Sequence, residues 1–116
     1  MARVVALLPD LLFGSKVEGM LAAAGYDVSV VGTPQALLEQ IEHADLAVVD
    51  LCEDAEPRTS ALADAAGGDA KLLAFYLHTA VDTRTRALAA GFDLVVPRSR
   101  MAREGAALAD GLLAPA

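Results

Sequence analysis

Two rhythms alternate along the chain, short unbroken apolar runs and longer stretches in which apolar residues return every three or four positions. The runs are Val4 to Leu8, Asp27 to Val31, Asp45 to Asp50, Lys71 to His78 and Leu94 to Val96. Leu46 to Val49, bracketed by Asp45 and Asp50, shows the reasoning best. Four apolar residues in a row suit a strand covered on both faces, as in a parallel sheet, better than a half-exposed strand, which would alternate. The helical stretches fill the gaps. Leu12, Phe13, Val17, Met20, Leu21 and Ala24 predict a first helix closed by Gly25. Gly32-Thr33-Pro34 supplies a turn, a cap and a first-turn proline for a second helix carrying Leu37, Leu38 and Ile41. Leu51 to Thr59 reads as an acidic loop with Glu53, Asp54, Glu56 and Pro57, followed by a short alanine-rich helix stopped by Gly67-Gly68. A fourth helix is expected from about Thr83 to Ala90, closed by Gly91. The fifth runs from about Ser99 to Leu113, with Met101, Leu108 and Leu112 on one stripe.

Five strands alternating with five helices require right-handed crossovers, and these build a parallel sheet with helices on both faces. The expected architecture is a single α/β domain over residues 1–116, a flavodoxin-like (βα)5 three-layer sandwich with strand order 2-1-3-4-5. That order sets the carboxyl ends of strands one and three side by side at the switch point, where open α/β sheets place ligands. Asp10 and Asp50 then share one crevice.

Composition narrows the function. A length of 116 residues with 55% hydrophobic side chains suffices for a real core. The net charge of -7 speaks against nucleic acid, whose binding rests on phosphate neutralisation by Lys and Arg. The lysines are Lys16 and Lys71, and the late cluster Arg84, Arg86, Arg98, Arg100 and Arg103 reads as solvated helix faces. No segment has the length of a membrane span or the form of a signal peptide, so no membrane partner and a cytoplasmic location are expected. Cys52 has no second cysteine to pair with, and neither it nor His43 or His78 has ligand-spaced companions.

Taken in order, these residues resemble the receiver domain of two-component response regulators over essentially the whole chain. The resemblance makes Asp50, at the end of strand three, the phospho-accepting aspartate, and Asp10 the second of two acids that hold magnesium after strand one. Thr79 in His78-Thr79-Ala80 falls at the switch hydroxyl. In the stretch from Gly91 to Ser99, Arg98 stands where the family has lysine and Ser99 where it has proline. The chain departs from the pattern at Pro9, which replaces the first magnesium acid, at Val95, which replaces an aromatic, and after Asp50, where Met-Pro and a glycine are missing.

The departures weaken the chemistry. Phosphoryl transfer to a carboxylate needs a cation near the transferring group, and magnesium favours carboxylate and water oxygens in octahedral order. Asp10 and Asp50 remain as a weak magnesium site or none, with no other cofactor implied. A guanidinium at position 98 is a planar fork rather than an ammonium point charge. Local readings compete: Asp10 as the cap of helix one, and Thr79 with Asp82 as a helix-start capping pair. The expectation is a stand-alone, non-enzymatic, receiver-like signalling domain, a pseudo-receiver acting through an unidentified protein partner. A homodimer through helix four, strand five and helix five is one form of it. The alternatives are a working magnesium-dependent phospho-acceptor and a flavodoxin-like ligand binder or enzyme subunit. Against the last, Pro9 to Ser15 lacks the glycine- and hydroxyl-rich pattern of a phosphate cradle.

Overall fold

A computed structural model describes residues 1–115. Its strands are β1 (Arg3–Leu7), β2 (Asp27–Val31), β3 (Leu46–Asp50), β4 (Lys71–Tyr76) and β5 (Leu94–Pro97). All neighbours pair in parallel, in the order β2-β1-β3-β4-β5. The helices are α1 (Leu11–Ala23), α2 (Pro34–Gln40), α3 (Ala55–Leu62), α4 (Val81–Ala89) and α5 (Arg98–Leu113), with single 3-10 turns at Ile41–His43 and Ala63–Ala65. The expected architecture and strand order are thus the observed ones.

Successive strand side chains point to opposite faces, which divides each apolar run between two cores. Val4, Ala6, Leu46, Val48, Leu73 and Phe75 pack under α1 and α5 with Val17, Leu21, Met101 and Leu108. Val5, Leu7, Ala47, Val49, Leu72 and Ala74 pack under α2, α3 and α4 with Leu37, Leu62 and Ala87. Every residue of β3 is buried, as its bracketed apolar run requires.

Local signals act where expected. Thr33 Oγ1 accepts the amide of Ala36 at 3.2 Å, with Pro34 in the first turn of α2. Gly25 and Gly91 follow α1 and α4 with φ of 96° and 101°, a region that favours glycine.

Several boundaries and faces differ from the sequence reading. Leu12 belongs to the apolar spacing that predicts α1, yet it is 88% exposed and its neighbour Leu11 85%. A buried position of α1 is Gly14, where an added Cβ would lie 3.1 Å from Leu8 Cβ and 3.2 Å from Leu8 O, so even a methyl group would be tight there. Strand four ends at Tyr76, and Leu77 and His78 belong to the following turn, closed by the Ala80 amide on Leu77 O at 2.8 Å. Asp45 lies just ahead of β3, accepting the Arg3 amide at 2.8 Å. Glu56 and Pro57 are helical rather than loop: Pro57 is the third residue of α3, where a missing N–H forfeits no intrahelical bond. Helix α4 starts two residues earlier than expected and α5 one residue earlier.

Candidate functional site

The candidate site lies at the carboxyl ends of β1, β3, β4 and β5. Register fixes its frame: Leu7 pairs with Val49, Asp50 with Phe75, and Phe75 with Val96. Asp50 has the parity of Leu46 and Val48, so its side chain belongs to the α1 and α5 side of the sheet. It is 6% exposed. Its Oδ1 accepts the Cys52 amide at 2.8 Å, a turn in which the carboxylate holds the chain two residues on.

Asp10 is shared between two tasks. Its Oδ1 caps α1, accepting the amides of Leu12 at 3.0 Å and Phe13 at 3.1 Å. Its Oδ2 lies 3.6 Å from Nη2 of Arg98, the first residue of α5. The Arg98 guanidinium also sits over the Phe13 ring, 4.1 Å from its centroid, and Phe13 in turn packs on Phe75 at 5.1 Å. A cation over an aromatic face gains from the ring quadrupole, so Arg98 is held from two sides. The topology brings Asp10 and Arg98 into contact, and the two amide bonds bear out the cap reading of Asp10.

Thr79 is exposed in the turn between β4 and α4. The capping pair with Asp82 is not formed: Ala80 occupies the cap position of α4, without a side-chain hydrogen bond, because the Leu77–Ala80 turn takes up Thr79. A groove of about 340 Å³ beside it is lined by Phe13, Leu77, His78, Arg98, Ser99 and Ala102.

Cys52 is half-buried, and its thiol is pushed up to about 12 by burial first, then by the charge of Asp50 and a hydrogen bond to it. Arg98 opposes the shift and Glu53 adds to it. The thiol is therefore a neutral neighbour of Asp50, not a nucleophile.

Sequence reasoning assigned nothing to Arg58, which is 8% exposed. From α3, on the opposite face of the sheet, its Nη1 donates to the main-chain oxygen of Asp50 at 2.8 Å, and its Nη2 lies 3.8 Å from Asp54 Oδ2. The spacing of Asp54 and Arg58 by four was visible in the sequence, but such pairs are usually solvated and carry no sign of burial.

The magnesium ion that the receiver resemblance implies can be tested against these donors. Pro9 offers no side-chain oxygen. Asp10 has one oxygen on two amides and the other facing a guanidinium. Among the described residues, no three His, Cys, Asp or Glu side chains converge as a metal site. Asp50 likewise has one oxygen on the Cys52 amide, so the two remaining acids are a poor fit for the ion.

No protein-family model matches the sequence, and no curated protein matches it significantly. Solved structures do. A response regulator from Thermotoga maritima superimposes with a TM-score of 0.84 at 14% identity, covering 99% of each chain. A CheY-like receiver domain protein from Methanospirillum hungatei JF-1 gives 0.80 at 20% identity, covering 97% of this chain and 94% of the other. An atypical orphan response regulator, described with a phosphorylation-independent regulatory mechanism, gives 0.79 at 16% identity, covering 96% and 94%. The chain therefore has the fold of these response regulator receiver domains.

Proposed function

We propose that the chain is a receiver-like signalling domain that works through contact with another protein, and that it is a pseudo-receiver whose Asp50 is not appreciably phosphorylated. The observation that carries this reading is Pro9, which stands where the first magnesium acid would be, and the Asp10–Arg98 ion pair adds to it. The one acid left after β1 is turned to a permanently charged side chain, Pro9 replaces the other, and Asp50 is left without a divalent cation to offset phosphoryl charge. One solved relative in fold, the atypical orphan regulator, is described as working independently of phosphorylation, and the same mode is proposed for this chain.

We propose α4, β5 and α5 as the partner face. Val81, 67% exposed, and Leu88, 38% exposed, lie seven residues apart on one stripe of α4 with Arg84 between them. Exposed apolar side chains set among charged ones are the composition of an interface with a polar rim. Among the described residues no helix is long and apolar enough to cross a membrane.

Mass spectrometry after incubation with a small phosphodonor and magnesium tests the central point. The unaltered protein is expected to keep its mass. A phosphoryl adduct that disappears in Asp50→Asn would establish a working phospho-acceptor and overturn the pseudo-receiver reading.

A further inference from the structure

Arg58 and Asp50 are the charged residues that the fold buries among the described residues. The position of Arg58 is unfavourable on two counts. A guanidinium loses hydration there, and it sits near the amino end of α3, where the helix dipole opposes a cation. Two oxygens answer it, and they lie at the two ends of one loop: the carbonyl of Asp50, which begins the β3–α3 connection, and the carboxylate of Asp54, which ends it. The Arg58 amide also donates to Asp54 O at 3.0 Å. Asp54 has φ 48° and ψ 39°, and it is the non-glycine residue with positive φ among those described. A left-handed aspartate is a conformation that surrounding contacts must hold. Inside this loop the Cys52 amide donates to the Asp50 carboxylate.

We propose that Arg58 is a positioning residue for Asp50, a strap across the β3–α3 loop that keeps the Cys52 amide on the Asp50 carboxylate and so sets the direction that carboxylate faces. The inference rests on Asp50 being the centre of the site, as proposed above. A planar fork suits the task, since one guanidinium donates to the Asp50 carbonyl at 2.8 Å while its other nitrogen stays within ion-pair reach, 3.8 Å, of the Asp54 carboxylate. The strap comes from α3, on the far side of the sheet from Asp10 and Arg98.

Cys52 is the single cysteine of the chain and reports on the loop from within. Its alkylation by iodoacetamide, followed by mass spectrometry across about pH 8 to 10 on the full chain, reads how far the thiol is shielded and how strongly Asp50 opposes its ionisation. In Arg58→Met the loop is released and the thiol moves from Asp50 towards water, so the rate should rise at least about tenfold with the profile shifted to lower pH. Arg58→Lys should fall between this variant and the unaltered protein. Leu62→Ala, which opens a cavity in the same helix without touching the strap, should lower the unfolding midpoint and leave the profile in place. A folded Arg58→Met protein whose profile superimposes on that of the unaltered chain would overturn the proposal, as would an equal shift in Leu62→Ala. If Arg58→Met does not fold, an Arg58→Lys profile identical to the unaltered one overturns the two-oxygen strap. No phosphodonor enters this measurement, so a phosphoryl adduct on Asp50 would reject the pseudo-receiver reading and leave the strap standing.

Discussion

Replacing Pro9 by aspartate separates two explanations for a poor magnesium site, the missing acid and the guanidinium that already faces Asp10. Their magnitudes differ. Pro9 is exposed, so a carboxylate there would act through a water-like dielectric. One unit of charge against a divalent ion about 4 Å away is then worth about 2 kcal/mol, or about thirtyfold in affinity. The Asp10–Arg98 pair spans 3.6 Å with side chains 49% and 42% exposed, and a solvated pair of this kind contributes at most about 1 kcal/mol, or about fivefold. Pro9→Asp should therefore tighten magnesium binding well beyond Arg98→Gln, from a starting affinity too weak to fill the site at physiological concentration. Isothermal titration calorimetry at fixed ionic strength measures both. Pro9→Asn is the control, because it frees the same backbone angle without adding charge. Equal binding by the Asn and Asp variants would refute the electrostatic argument. A larger gain from Arg98→Gln than from Pro9→Asp would make the ion pair, not the absent acid, the principal obstacle.

Three further outcomes test the fold and the partner face. Gly91→Ala should lower stability by about 2 kcal/mol in urea unfolding, since φ is 101° and an added Cβ would lie 2.7 Å from Ala66 Cβ, whereas Gly111→Ala, with open space around it, should gain up to about 1 kcal/mol. Tyr26 donates to Asp110, and burial, that bond and the carboxylate charge push its phenol up to about 12 from 10. Because the fold favours the neutral phenol, its contribution is complete below pH 10 and is lost as pH rises through 12, and Tyr26→Phe should remove that part of the pH dependence of the urea midpoint. If two copies associate through α4, sedimentation velocity should show a concentration-dependent mass rise that Val81→Glu with Arg84→Glu abolishes, and loss of the rise in Leu12→Glu instead would move the contact to α1.

Much of this fold is legible in the sequence. Parallel strands covered on both faces must be apolar without interruption, so the runs around Val5, Val48 and Leu73 name themselves, and alternation with helices then admits few topologies. Caps and turns are equally local: Thr33, Asp10, Gly25 and Gly91 act on amides and angles within a few residues of themselves. What the sequence left open is what depends on neighbours distant along the chain. The same leucine spacing serves a buried and an exposed helix face, so only the close approach of Gly14 to Leu8 shows that Leu12 points outward. Asp10 could be read as a cap or as a site acid, and its contact with Arg98 exists because α1 and α5, which start at these two residues, pack side by side on one face of the sheet. Arg58 is the sharpest case. An arginine four residues after an aspartate is ordinarily a solvated pair, and its burial against the carbonyl of Asp50 follows from the way α3 packs back over the end of β3, which no local pattern encodes.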